Sequence, residues 1–412
     1  MEKTAPSATN NWIFYCLITG YFCISLGLNN GFILGGLTAF DTGFLETLDI
    51  TVAQLKLRDS MTFVIIGIFA VGTGVLVDRF GAIQVLITGH VLFSIAFWLL
   101  SKAQNIETIY AAQAILGLCQ LCAGYLVCVI AVSRYLPFNV GLAVGLMMAS
   151  TSLANAFLPK LNFTLIERFG ASQSLVYIAL SAIPLAIGAA LIGFAKPRGA
   201  VVDKETETIL PGPTLKDALS RRDFWAIIAV AVFSFSAFVG IVTNIGIFAA
   251  NPPFNNVSAA GTFFFALFIV SLVAQVVSGW IADKMRLRLI HIAGLLCMAT
   301  AFAGLAMAQT AAVATAWFAL LGLGWGFNYV LVQVAVPARF AGQSLGKIFG
   351  TILVAEALSG AAAPFLFGAA FDAFGSYKII LLLGTAGLFI AIAAAAVLHT
   401  PMKGANAAPV TA

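Results

Sequence analysis

Apolar residues in this chain come in runs about as long as a bilayer is thick, and that limits the folds open to it. A helix needs about 20 mostly apolar residues to cross the hydrocarbon core. Runs that meet this rule cover 12–38, 55–77, 83–101, 107–132, 141–164, 171–194, 224–249, 259–282, 289–308, 312–336, 346–369 and 377–398. Of the 412 residues, 61% are hydrophobic and only 9% charged, whereas a soluble domain carries about 25% charged residues. No single soluble core absorbs that much apolar surface, so the outside of the fold must be apolar too. The expectation is an all-α membrane protein with twelve transmembrane helices, since only helices and closed barrels satisfy their backbone in lipid.

Most connections between the runs are short. The exception is 195–222, which is polar, charged and broken by prolines. It divides the spans six and six. The predicted organisation is a tail (1–11), a six-helix bundle (12–194), a linker (195–222), a second six-helix bundle (223–398) and a closing tail (399–412). Fifteen of the 21 bases fall in segments on the linker's side of the membrane, among them Arg79, Arg134, Arg221, Arg222, Lys284 and Arg339. By the positive-inside rule that side is the cytoplasm, with both termini in it. The first run is too long for a signal-peptide core of about 7–15 residues and reads as a retained span. The predicted location is the cell membrane, the inner one in a Gram-negative cell.

Several functions are disfavoured at once. The net charge of +5 is scattered through loops and forms no patch for nucleic acid. Cys119 and Cys122 form a CxxC, but on an apolar run with no charged neighbour to activate a thiol, and zinc spacings are absent. All six cysteines read as packing residues. With three histidines and neither HExxH nor GxSxG, the chain offers little to an enzyme. A transport-dead sensor would need a signalling domain that the linker and tails do not provide. No cofactor is expected.

One short pattern occurs twice. Gly74-Val75-Leu76-Val77-Asp78-Arg79-Phe80-Gly81 closes the second span, and Gly279-Trp280-Ile281-Ala282-Asp283-Lys284 closes the eighth. With twelve spans and a six-plus-six split, this resembles the major facilitator superfamily over roughly 12–398. Ser133-Arg134-Tyr135-Leu136-Pro137, followed by Gly141-Leu142-Ala143-Val144-Gly145, resembles the span 4–5 region of monocarboxylate transporters and bacterial oxalate–formate antiporters. Gly368, Asp372, Gly375, Ser376 and Tyr377 resemble the turn between their last two spans, and Ser220 to Trp225 the start of their seventh. The resemblance implies gating roles for Asp78, Arg79, Asp283 and Arg134. It also carries departures. Ala82 and Ile83 stand where the family often has bases, Arg286 where glycine is usual, and Gln113 at the place of an arginine. Carboxylate carriers of the branch usually have an arginine on span eight, and the oxalate antiporter has a lysine on span eleven. Here those places hold Gln275 and Glu356, with Ser271 where an acid is common.

Charge inside a span is costly, by about 2.5–3.5 kcal/mol on insertion scales, and marks a functional suspect. Glu356 lies ten residues into its run from Gly346, about 15 Å deep and near the midplane. It has no basic neighbour on its own helix. It is the candidate for substrate binding and for proton coupling. Lys160, about 28 Å along its helix from Gly141, and Arg58 with Asp59, similarly far from Asp78, read either as an outer vestibule or as side chains snorkelling to headgroups. Polar residues on the spans that should line a cavity complete the candidate binding set: Asn30, Gln120, Tyr125, Asn244, Gln275, Asn328 and Tyr329. His90 and His291 lie near span ends and read as structural.

The predicted function is a secondary transporter with alternating access at a midplane site. Its partners are a small-molecule substrate, protons and the lipid bilayer, and it is expected to act as a monomer. The branch implies a small organic acid, monocarboxylate-like, carried with a proton. The missing bases favour a proton-coupled neutral or cationic solute, or an exchanger. The small organic acid is the first expectation and the other is the alternative.

Overall fold

The computed structural model describes residues 8–136, 140–194, 213–282, 287–340 and 345–398. The first half contains α1 (Ala8–Leu34), a 3-10 turn (Gly36–Phe40), α2 (Asp41–Leu48), α3 (Val52–Phe80), α4 (Ala82–Ser101), α5 (Ile106–Ala123), α6 (Tyr125–Tyr135), α7 (Val140–Phe169) and α8 (Ala171–Phe194). A short α9 (Leu215–Leu219) leads to α10 (Arg222–Ala250), α11 (Ala259–Ala282), α12 (Leu287–Met307), α13 (Ala311–Phe340), α14 (Leu345–Phe374) and α15 (Lys378–Val397). Among the described residues, ten helical stretches are long and apolar enough to cross a membrane. Helices α3 and α7 are 29 and 30 residues long besides. The fold is an all-helical membrane architecture.

The packing of the first half recurs in the second. In the first, α1 lies on α7, α3 on α5, and α4 on both α5 and α8. In the second, α10 lies on α14, α11 on α13, and α12 on both α13 and α15. Numbered within each half, with α5 and α6 as one unit, these are the same pairs. The halves meet through α3 against α14 and α7 against α11, which that numbering also makes equivalent. Small residues permit the close approaches, as expected where no hydrophobic drive pulls helices together in lipid. A Cβ at Gly368 on α14 would stand 3.0 Å from the backbone of Val52 and Ala53 on α3.

Two local features depart from the sequence reading. Residues 39–54, expected as a plain connection between spans, form the end of the 3-10 turn, α2 and the start of α3. Asp41 there is completely buried. The fourth run, read as one helix over 107–132, is broken at Gly124, whose ψ of −170° takes it out of helical geometry between α5 and α6. A Cβ at Gly124 would run into the Gln120 carbonyl oxygen, so the break is fitted to glycine. The Ala123 carbonyl beside it accepts from Asn29 Nδ2 at 3.1 Å. A side chain of α1 thus satisfies a carbonyl at the break, as buried backbone requires.

Candidate functional site

The end of the molecule at which α1 finishes and α3 begins lies opposite the linker and is called the distal end here. Two links cross between the halves there. The first is built on the start of α3. Thr51 and Gln54 form a capping box, with Gln54 N donating to Thr51 Oγ1 at 3.2 Å and Thr51 N donating to Gln54 Oε1 at 2.9 Å. The two amides between them, Val52 N and Ala53 N, donate to the Asp372 carboxylate at 2.9 and 2.7 Å. Asp372 belongs to α14 of the other half. Helix N-termini leave such amides unpaired and carry partial positive charge, so a carboxylate fits there by hydrogen bonding and by charge.

The second link is a buried ion cluster. Asp41 of α2 accepts from Lys56 Nζ with one oxygen and from Arg58 Nη2 with the other. Asp59 Oδ1 accepts from Arg58 Nε at 3.3 Å, and Asp59 Oδ2 lies 3.5 Å from Lys56 Nζ. Lys56 also donates to the Thr243 carbonyl oxygen of α10, in the opposite half. Lys56, Arg58 and Asp41 have no exposed surface, and Asp59 is 7% exposed. Two bases and two acids balance, which is how four charges tolerate burial. The alternative of headgroup contact for Arg58 and Asp59 is corrected by this burial. A partner 17 residues upstream holds the guanidinium inside.

Between the halves, next to this cluster, lies a cavity of about 320 Å³. Its two walls differ. The first half supplies Asn30, Asp59, Thr62, Gln113, Gln120, Tyr125 and Asn155 among others. The second half supplies Phe235, Phe238 and Thr243 from α10, Phe268 and Gln275 from α11, and Trp325 and Tyr329 from α13. Phe238 stacks on Trp325 with ring centroids 3.8 Å apart, and Trp325 lies 5.2 Å from Tyr329. Among the described lining residues, Asp59 is the sole formal charge. Polar side chains on the first wall are tied to one another: Asn155 Nδ2 donates to Asn30 Oδ1 at 2.8 Å, and Gln113 Nε2 to Thr62 Oγ1 at 2.8 Å.

Of the residues singled out in the sequence, Asn30, Asp59, Gln120, Tyr125, Gln275 and Tyr329 line this cavity. Asn244 and Asn328 lie outside the lining. Asn244 Oδ1 accepts from the Tyr377 hydroxyl at 2.9 Å, and Asn328 Oδ1 is 3.0 Å from His291 Nδ1. Both asparagines are buried and engaged in holding helices together. His90, buried, lies 3.1 Å from Ser25 Oγ and 3.3 Å from the Tyr21 hydroxyl. Lys160 is exposed, with its Cα 3.2 Å from the place of a Cβ at Gly261 on α11.

Glu356 is half-buried on α14 and sits at the edge of the cavity, outside its lining. It lies one helical turn before Gly360, where a Cβ would meet Phe235 at 2.6 Å and Phe63 at 3.2 Å, both cavity residues. Residues four apart share a helix face. Glu356 also lies within electrostatic reach of Tyr329. Among the described residues it has no ion pair within 4.0 Å. At the linker end, Arg79 is exposed, with its guanidinium carbon 5.3 Å from the Phe80 ring centroid. The side chains of Asp78 and Arg134, and Asp283 altogether, lie outside the described residues.

Sequence reasoning missed Asp41 and Lys56. Their signal was available: an acid and a base close to an arginine and an acid, at the edge of two apolar runs. Nothing in chain order, however, says that α2 folds back to bring Asp41 to Lys56 and Arg58.

Comparison with known proteins agrees with this architecture. A family model described as the Major Facilitator Superfamily matches residues 17–364. The uncharacterized MFS-type transporter YhjX of Escherichia coli (strain K12) is 23% identical over 323 residues, covering 76% of this chain and 78% of that protein. A bacterial homologue of the human lysosomal transporter Spinster, in an inward-facing and occupied conformation, superposes with a TM-score of 0.71 at 14% identity, covering 95% of this chain and 96% of its own. The nucleoside transporter NupG, in a mutant form, gives a TM-score of 0.75 at 11% identity, covering 93% and 98%.

Proposed function

The chain belongs to the Major Facilitator Superfamily, and we propose that it is a secondary transporter moving a small organic solute through the cavity between its halves. It is a membrane transporter of the superfamily's type; the mechanism and cargo are our reading. Twelve spans form two six-helix bundles with both termini in the cytoplasm, so the distal end faces outward. The halves rock about the cavity, which opens to one side at a time. The observation that carries this is the pairing of a polar, partly aromatic cavity with cross-half links at the distal end: Asp372 on α3, and Lys56 on α10. These links hold the outer side shut and must part for it to open.

The lining favours a neutral or cationic solute over an anion, since its one charge is an acid and no described base faces the cavity. The small organic acid carried with a proton remains the second reading. It is favoured by the break at Gly124, which brings the N-terminal end of α6, the positive end of a helix dipole, to the cavity wall. Uptake into proteoliposomes with labelled amines, acids and neutral solutes, each with and without an imposed pH gradient, separates the two. Uptake of none of them, with or without counter-substrate inside, sinks the transporter reading.

Glu356 is the proposed proton-coupling residue. It is half-buried, has no ion pair among the described residues and lies within electrostatic reach of a cavity tyrosine. Glu356→Gln is expected to abolish the response to a pH gradient while leaving solute exchange intact. Gradient-driven uptake that survives unchanged in the variant removes this role.

A further inference from the structure

We propose that the cavity binds an organic cation in which a protonated amine is joined to a flat apolar body. The amine faces Asp59 and the body lies against the aromatic wall of the second half. This rests on the transporter reading above and names its cargo class.

Three independent observations converge. Asp59 is nine-tenths buried, lines the cavity, and keeps one oxygen, Oδ2, without a hydrogen-bond partner. Its neighbour Lys56 stands 3.5 Å from that oxygen as an ion pair, with two of its three N–H donors directed to Asp41 and to the Thr243 carbonyl. Oδ2 itself is enclosed, but an ionised carboxylate has about four acceptor sites and the bond from Arg58 to Oδ1 is long at 3.3 Å, so Asp59 has capacity for a further N–H donor from the cavity. The opposite wall presents Phe235, Phe238, Trp325 and Tyr329. Aromatic faces attract cations and take up flat apolar groups. Lastly, the charges around the cavity are biased one way. The cluster of Asp41, Lys56, Arg58 and Asp59 sums to zero and turns one of its two acids, Asp59, to the cavity, and Glu356, outside the lining, lies within electrostatic reach of Tyr329.

The N-terminal end of α6 works against this bias, but it amounts to about half a charge against a full carboxylate. A carboxylate ligand would have to lie in a poorly solvated space with Asp59 in its wall and no described base to answer it. An ammonium meets the opposite conditions.

The test compares three phenyl-bearing probes of similar size on the purified full-length chain at neutral pH: 2-phenylethylammonium, 3-phenylpropionate and 2-phenylethanol. Tryptophan fluorescence and melting temperature read binding. The ammonium is expected to bind about tenfold or more tighter than the other two. Asp59→Asn is expected to erase the difference between ammonium and alcohol. Trp325→Leu is expected to weaken both while keeping the preference for the ammonium. Should Asp59→Asn fail to fold, the wild-type series and Trp325→Leu still decide. Tighter binding of the phenylpropionate, or binding of none of the three, overturns the proposal. Flux measured with the same probes keeps the two readings apart. Transport of the carboxylate without amine binding leaves the transporter and removes the cation. Amine binding that depends on Asp59, with no probe crossing, does the reverse.

Discussion

Lys56 shows how much a single side chain can be asked to do in this molecule. It has no exposed surface, two acidic neighbours in its own half and a backbone carbonyl in the other. Removing one member of a buried ionic group leaves the rest uncompensated, a loss of about 3–5 kcal/mol. Lys56→Met keeps the stem's volume and deletes the charge. It is expected to lower the unfolding free energy in detergent by about that amount, and an unchanged melting curve would show that water already screens the cluster. At this scale the sequence was half legible. Arg58 and Asp59 declared themselves as charges at the edge of an apolar run, and Glu356 as a charge within one. The meaning of the first two was not legible, because their partner Asp41 comes from a stretch that reads as an ordinary connection. Asn244 and Asn328 looked like cavity residues for the same reason in reverse. A polar side chain in a span must find a partner, and the sequence does not say whether that partner is cargo or, as here, Tyr377 and His291.

Helices were easier to read than their interruptions. The long apolar runs pointed to the spans. The division of the fourth run into α5 and α6 was not visible. No proline marks it, and Gly124 is one glycine among 38. Its role lies in a three-dimensional conflict, since any side chain there meets the Gln120 carbonyl. Gly124→Ala is therefore expected to force a shift of the α5–α6 junction at a cost of about 1–3 kcal/mol and to reduce transport. Transport velocity in proteoliposomes and melting temperature check this, and a variant with wild-type values in both would mean the break is incidental. The start of α3 makes the complementary point. Its capping box was within reach of a sequence reading from Thr51 and Gln54, but the remaining two amides are capped from more than 300 residues away by Asp372. Local rules locate a helix start; only the fold says who completes it.

At the level of the whole molecule, the linker, the twice-used turn and the count of apolar runs pointed to two halves. The structure adds the repeated pairing of helices and the distal links, which no run of residues encodes. The Asp372 contact is the cleaner of the two to disturb, because its carboxylate is exposed and its loss strands no buried charge. Asp372→Asn weakens two charge-assisted hydrogen bonds to a helix terminus, worth about 0.3–2 kcal/mol together with the dipole. Spin labels at positions 49 and 376, on opposite halves of the distal end, are expected to show a longer-distance population that rises by about 2- to 30-fold in the variant. A distance distribution that does not move would mean that the distal end is held by packing alone.

The bond from Lys56 to the Thr243 carbonyl has a consequence for tempo. A seam between two oily walls can part by sliding, but one fastened by an ammonium cannot, because the freed group must be wetted or re-paired at once. In the proposed cycle, opening the distal side is thus tied to the arrival of a few water molecules at one nitrogen atom. The pace of the cycle should then follow hydration of that spot more closely than the stiffness of the helices around it.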